Sequence, residues 1–170
     1  AGIYFLQTAD LDIKDVSWTP IGASHSFDGY YDGGGHAIRN GNFVNNESKT
    51  GIMWAIFGMV KGTVNRLCVE NTKFVVNYGD DARVGAIAAR LTDNGEIKNC
   101  FVKGCQVITN RVGIAGAVVA DMFDRAVVRN TLSYKNTVKA TRTGYICSDT
   151  ENSTLLERCY TDGDGVVSSD

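Results

Sequence analysis

The segment Thr63–Val69, TVNRLCV, returns three more times with variations. The later copies are Glu96–Val102 (EIKNCFV), Val127–Ser133 (VVRNTLS) and Leu155–Thr161 (LLERCYT). Each copy has an apolar residue at its second position and another large apolar residue ten positions later, and the copies follow each other at intervals of 33, 31 and 28 residues. Self-similarity at such a period is the sequence signature of a repeat architecture.

The repeats predict three columns of apolar residues that stack on one another. The first column is Val64, Ile97, Val128 and Leu156, with Ile38 as the anchor of an earlier copy; the second is Phe74, Val107, Val138 and Val166; the third is Ile56, Ile87, Ile114 and Ile146. The gap from the third column to the first is 8, 10, 14 and 10 residues, so we expect insertions between the strands and constant spacing within them.

The composition favours strands over helices. Nineteen glycines and a single proline accompany many short runs rich in Val, Ile and Thr, and no apolar pattern of helical period is sustained. We therefore predict an all-β fold, a single β-solenoid domain over residues 1–170 with about five coils of three strands each. A β-sandwich is the alternative, although it would not require columns that coincide in four consecutive copies.

The charge balance and the hydropathy pattern restrict the partners. Seventeen Lys and Arg against nineteen Asp and Glu give a formal charge of -2, so no basic field attracts nucleic acid. We expect no membrane span and no cofactor. The last residues, Val166–Asp170, read as a strand without a cap, which predicts a longer parent protein or end-to-end self-association.

The block Phe27–Asn40, FDGYYDGGGHAIRN, concentrates groups that could bind a ligand. Its candidates are Asp28, Tyr30, Tyr31, Asp32 and His36. The competing interpretation is a glycine turn that leads into a strand, with Ile38 as a repeat anchor and Asn40 at a bend. Because the chain has only two histidines and no zinc-type spacing, we assign no metal ligands, and no pair of acids supports a catalytic assignment.

Two insertions between strands are the preferred binding loops. One is Val118–Asp124, which contains Met122 and Phe123, and the other is Asn77–Asp81, which contains Tyr78, Asp80 and Asp81. Loops carried on a rigid scaffold are where binding residues concentrate. The expected partner is a host glycan or a protein surface.

The same alignment makes predictions for the cysteines and asparagines. Cys100 and Cys159 share a column with Thr131 between them, which places their backbones about 9–10 Å apart, too far for a disulfide. We expect free thiols that pack as small apolar groups. Asn99 and Asn130 occupy equivalent bends and should form a stack of amides along the solenoid, with Asn40, Arg66 and Arg158 as the equivalents in other copies.

Several of these segments resemble a known family. The succession Thr8–Ile13, Trp18–Gly22 and Phe27–Ile38 resembles the start of GLUG-type repeat regions of bacterial secreted and surface proteins, and Ala55–Leu67 is similar to the GLUG motif. The resemblance implies a right-handed β-helix, a location at the cell surface or outside the cell, and a non-enzymatic adhesion, binding or spacer role. The alternatives are an accessory repeat of a larger exported enzyme, such as an immunoglobulin-A-cleaving metallopeptidase, and a small polysaccharide-cleaving β-helix.

Overall fold

The computed structural model describes residues 2–162, and these residues form short strands joined by turns. Nothing in this range is helical, so it contains no helix that could cross a membrane. The predicted all-β class is confirmed. Val166 of the second predicted column lies outside the described residues.

The strands group into coils, numbered here from the amino-terminal side. In chain order they are β1 (Tyr4–Leu6) and β2 (Leu11–Asp12) in coil 1; β3 (Tyr30–Asp32), β4 (Ala37–Arg39), β5 (Asn42–Asn45), β6 (Met53–Trp54) and β7 (Phe57–Val60) in coil 2; β8 (Thr63–Asn65), β9 (Cys68–Glu70), β10 (Lys73–Val76), β11 (Ala82–Gly85) and β12 (Ala88–Leu91) in coil 3; β13 (Glu96–Lys98), β14 (Phe101–Lys103), β15 (Gln106–Thr109), β16 (Gly113–Gly116) and β17 (Val119–Met122) in coil 4; β18 (Val127–Arg129), β19 (Leu132–Tyr134), β20 (Thr137–Lys139), β21 (Arg142–Gly144) and β22 (Cys147–Thr150) in coil 5; and β23 (Leu155–Glu157) and β24 (Tyr160–Thr161) at the start of coil 6.

Strands at the same place in successive coils pair in parallel and build five sheets. In the order in which the chain passes them, these are sheet I (β1-β3-β8-β13-β18-β23), sheet II (β2-β4-β9-β14-β19-β24), sheet III (β5-β10-β15-β20), sheet IV (β6-β11-β16-β21) and sheet V (β7-β12-β17-β22). The chain is therefore a parallel β-solenoid of about five coils, as the repeats predict.

Each complete coil has five short strands where the sequence predicted three. One reason is that the third predicted column lies at a turn that separates two strands, those of sheets IV and V. The other is that residues with positive φ turn the chain twice between the first and second predicted columns, which adds sheet II. Arg66, Asn99, Asn130 and Arg158 turn it between sheets I and II, and Asn40, Asn71, Gly104 and Lys135 turn it between sheets II and III, with φ between 48° and 65°. Asparagine and glycine adopt this left-handed conformation most readily, which explains their recurrence at the corners.

Two of the predicted columns are confirmed in register. Val64 pairs with Ile97, which pairs with Val128, and that residue pairs with Leu156 in sheet I. Phe74, Val107 and Val138 align in the same way in sheet III. Of these seven residues, all but Val138 and Leu156 are buried, because the inner faces of the stacked sheets form one continuous core.

The predicted place of Ile38 is wrong by one sheet. Ile38 pairs with Val69 in sheet II, whereas Tyr31 is the residue that pairs with Val64 in sheet I. Four residues, 33–36, separate β3 from β4, whereas two residues separate β8 from β9. Asn40 shifts with Ile38 and occupies the corner between sheets II and III, so it is not an equivalent of Asn99.

The third column contains Val118 in place of Ile114. The backbone N–H of Ile87 donates to the Val118 carbonyl, and the N–H of Val118 donates to the Ile146 carbonyl. Ile114 instead pairs with Arg83 in sheet IV. The likeness of GIAG at 113–116 to AIAA at 86–89 produced the error, and the corrected gap is ten residues, without an insertion.

The cysteine predictions are confirmed. All five thiols are free. The Leu132 N–H donates to the Cys100 carbonyl and the Tyr160 N–H donates to the Thr131 carbonyl, so the coil of Thr131 lies between those of Cys100 and Cys159. Burial raises the pKa of Cys100 to about 12 and that of Cys105 to about 11. Thiols with so little thiolate character are packing groups and not nucleophiles.

Candidate binding surface

The loops that join sheet III to sheet IV vary in length from coil to coil. They comprise residues 46–52, 77–81, 110–112 and 140–141 in coils 2 to 5, so they shorten from seven residues to five, three and two. We call this row of loops the crest. It contains Asn77–Asp81, one of the two loops predicted to bind a partner.

Neighbouring crest loops pack closely against each other through their backbones. In the loop of coil 3, Gly79 has a φ of 91°, and a Cβ at this position would overlap the carbonyl oxygen of Lys49 in the coil below. Asp81, with a φ of 57°, returns the chain into β11, and the Arg83 guanidinium donates to its carbonyl and carboxylate oxygens, each at 3.0 Å. The loop is therefore fixed at its base and at its tip.

A ladder of amides runs along the base of the crest. Asn77 Nδ2 donates to Asn46 Oδ1 at 2.8 Å, Asn110 Nδ2 donates to Asn77 Oδ1 at 2.8 Å, and Lys139 Nζ lies 3.5 Å from Asn110 Oδ1. This ladder was missed from the sequence, although Asn77 and Asn110 stand at the same place in two copies. The predicted ladder at the corner between sheets I and II is confirmed for Asn99, Asn130 and Arg158. It begins at Asn65 and not at Arg66, whose side chain binds Asp32.

Three depressions lie along the crest. The first, of about 540 Å³, is lined by residues of coils 1 and 2 that include Trp18, Lys49 and Trp54. The second, of about 330 Å³, is lined by the loops of coils 2 to 4 and includes Tyr78. The third, of about 440 Å³, lies between the loops of coils 4 and 5 and includes Arg111.

The charged side chains of the crest are paired across or within loops. Arg111 Nε lies 3.3 Å from Asp80 Oδ1, and Lys49 Nζ lies 3.0 Å from Glu47 Oε2. All four are exposed, so these pairs contribute little to stability. Tyr78, which is 56% exposed, is the large aromatic side chain of the loop in coil 3. No motif or spacing singles out Lys49 or Arg111, because both enter the surface only through the stacking of loops.

Two residues of the predicted site in Phe27–Asn40, Asp32 and Tyr31, have structural roles. Asp32 is buried and accepts two hydrogen bonds from Arg66, at 2.9 and 2.6 Å, one from the Tyr4 hydroxyl and one from the Gly34 N–H. These donors, led by Arg66, lower the pKa of Asp32 to about 2. Tyr31 packs against the core, and its hydroxyl donates to Gln7 Oε1. Neither side chain is available to a ligand.

The remaining candidates of that block lie apart from the crest. Tyr30 stacks on Tyr4 with ring centroids 5.2 Å apart, and His36 Nδ1 lies 3.4 Å from Asp10 Oδ1. Asp28 is exposed next to β3. Trp18 and Trp54, which line the first depression, each pack against the core, and each indole N–H donates to a backbone carbonyl.

The prediction that Val118–Asp124 is a binding loop is wrong. Its centre is strand β17, every residue of which is buried, and Met122 is fully enclosed in the core. Phe123 follows the strand, and its ring lies 4.6 Å from the Arg90 guanidinium carbon. The segment looked like an insertion only because Ile114 had been placed in the wrong column.

A different arrangement occupies this part of the molecule, where sheet IV meets sheet V. The turn between the two sheets, which we call the elbow, has two residues in every coil from 2 to 5: 55–56, 86–87, 117–118 and 145–146. Asp121, which is 1% exposed, accepts hydrogen bonds from Arg83 of sheet IV at 2.8 Å and from Arg90 of sheet V at 3.0 and 2.6 Å. The outer faces of the two sheets therefore converge on one carboxylate.

Within residues 2–162, no three His, Cys, Asp or Glu side chains lie close enough together to hold a metal ion. No protein-family model matches the chain, and no curated protein matches it. Among solved structures it is similar to the crystal structure of a "putative immunoglobulin A1 protease from Bacteroides ovatus", with a TM-score of 0.47 and 14% identity over 100% of this chain and 74% of that one. A likeness this weak carries no argument about function.

Proposed function

We propose that this β-solenoid is a non-enzymatic binding module of a secreted or cell-surface protein, and that it contacts its partner through the crest. The observation that carries the proposal is the row of three depressions along one corner of the solenoid. The location outside the cell is part of the proposal, as the resemblance to GLUG-type repeats implies.

The scaffold under the crest is suited to presenting loops. Strands β10, β15 and β20 of sheet III, which precede the crest loops, pair in unbroken register. Strands β11, β16 and β21 of sheet IV, which follow the loops, do the same. Loops on such rigid elements can vary without changing the fold, and they are the usual carriers of binding residues. Seven of the seventeen crest-loop residues are Asn, Ser, Gly or Tyr, residue types that antibody loops use for adaptable hydrogen bonding and aromatic contact.

The buried acids of the described residues support binding over acid–base catalysis. A general acid needs a carboxyl group whose pKa is raised towards neutrality, usually by burial without a cationic partner. The two buried carboxylates between residues 2 and 162, Asp32 and Asp121, are instead held by arginines. Both are therefore explained by structural ion pairs.

The test is a binding screen of the purified chain against glycan and protein arrays, with a reducing-sugar assay on the same glycans. We expect binding without release of reducing ends, and we expect Tyr78→Ala and Arg111→Ala to weaken it. The matched controls are Tyr160→Ala and Arg125→Ala, exposed residues outside the crest. Cleavage of any polymer would support the polysaccharide-cleaving alternative and overturn the proposal.

A further inference from the structure

The three depressions of the crest form one continuous surface. Lys49 and Thr50 line both the first and the second depression, and Arg111 lines both the second and the third. The surface crosses coils 1 to 5, and coils stacked at about 4.8 Å give it a length of about 19 Å. A compact ligand would occupy one depression, whereas an extended chain can occupy all three.

The amide ladder beneath this surface has unused hydrogen-bonding capacity of both kinds. Asn110, the ladder residue that lines the third depression, donates one N–H of its amide nitrogen to Asn77 and accepts one hydrogen bond from Lys139 at its amide oxygen. An amide carries two N–H donors and two acceptor lone pairs, so one donor and one acceptor remain. Hydroxyl groups, which both donate and accept, satisfy such a row better than phosphates or carboxylates, which only accept.

The charges of the crest do not favour an ionic polymer. Glu47 and Lys49 pair, as do Asp80 and Arg111, and among the charged residues that line the three depressions Lys139 alone lacks an acidic partner, so the surface carries a single unpaired cation. Recognition of a polyanion requires unpaired cations that can neutralise it. The balanced pairs therefore favour a neutral ligand.

The geometry also disfavours an extended peptide. Peptides that bind as an added strand need a free sheet edge. The crest lies beside strands that already pair on both sides, such as β10 between β5 and β15 and β11 between β6 and β16. Tyr78 instead presents an exposed ring in the middle of the surface, and such a ring can pack on the C–H face of a sugar while its hydroxyl hydrogen-bonds.

We infer that the crest binds a neutral, linear oligosaccharide that lies along the axis of the solenoid, with Tyr78 as the stacking residue. The inference rests on the proposed function, since it assigns a ligand class to the same surface. It goes further in fixing the charge, the linear form and the orientation of the ligand.

The test is calorimetric titration with neutral linear oligosaccharides of two to eight units, using cello-, xylo-, malto- and chito-series. We expect one series to bind with an affinity that rises with length until the oligomer spans the three depressions and then stays constant. Tyr78→Ala should weaken binding about tenfold, whereas Tyr160→Ala should leave it unchanged. Tyr78 is exposed, so thermal unfolding should show that the variant is folded.

The other outcomes separate this inference from the proposed function. A crest-dependent protein partner with no glycan binding overturns the inference and leaves the binding module intact. Tighter, salt-sensitive binding of heparin or polygalacturonate overturns the neutral class alone. Binding of any ligand that neither Tyr78→Ala nor Arg111→Ala affects overturns both.

Discussion

The two ends of the strands in sheet IV differ in what they tolerate. At the end where these strands begin, the crest loops change length in every coil and expose most of their side chains. At the end where the strands finish, the elbow keeps two residues in every coil, and Ala86, Ile87, Ala117 and Val118 are completely buried. Variation is therefore confined to one side of a strand only a few residues long, which is where a binding surface can change without cost to the fold.

Replacing Asp121 beside the elbow and Asp80 at the crest should give the largest difference in unfolding free energy between the two regions. Asp121→Ala leaves Arg83 and Arg90 without their common partner, and breaking a buried ion pair in this way costs about 3 kcal/mol of unfolding free energy. Asp80→Ala removes an exposed pair at the crest and should cost less than about 1 kcal/mol. Urea denaturation of both variants measures the contrast, and equal losses would contradict it.

The glycines before the elbow should be nearly as sensitive. A Cβ at Gly116 would overlap the carbonyl oxygen of Val119, so Gly116→Ala should cost about 2 kcal/mol or more through a forced backbone shift. The control is Gly51→Ala at the crest, where a Cβ meets nothing within 4 Å and only the φ of 74° is unfavourable, at about 1 kcal/mol. If Gly51→Ala lowers the free energy of unfolding more than Gly116→Ala does, the elbow is less tightly packed than the structure shows.

Asp32, a buried acid away from both regions, tests whether its ion pair with Arg66 contributes to the stability of the fold at low pH. The pKa of Asp32 is lowered to about 2, so its contribution is complete above the unfolded-state pKa of about 3.9 and is lost as the pH falls through 2. The wild type should lose more stability between pH 4 and pH 2 than Asp32→Asn. Parallel wild-type and Asp32→Asn profiles in that pH range would show that this clamp does not contribute.

Lengthening a crest loop should have the smallest effect on stability. A Gly-Ser pair inserted between Ala140 and Thr141 extends the shortest loop to four residues, and loop-closure entropy makes this cost about 0.6 kcal/mol. The same pair inserted between Ala117 and Val118 at the elbow should prevent cooperative unfolding altogether, since no space exists for it. Thermal unfolding compares the two insertions. Similar melting temperatures would remove the distinction between crest and elbow.

The sequence predicted the repeat, the parallel stacking and two of the three columns, because apolar residues recur wherever a side chain must point into the core. It misplaced Ile38, since spacing alone cannot show whether a turn has two residues or four, and it misplaced Ile114 because GIAG at 113–116 resembles AIAA at 86–89. The buried strand β17 was taken for a loop for the same reason. The crest was found only in part, because Tyr78 and Asp80 belong to one insertion, whereas Lys49 and Arg111 join them through contacts between coils.

The two amide ladders share a polarity. In both, each amide nitrogen donates to the oxygen of the preceding coil, so the amide dipoles align along the solenoid as peptide dipoles align along a helix. The last oxygen of each row meets a cation: Arg158 donates to Asn130 at 2.7 Å, and Lys139 lies 3.5 Å from Asn110. Each ladder thus has the equivalent of a helix C-cap, and replacing either cation by glutamate would place negative charge against the negative end of an aligned row of dipoles.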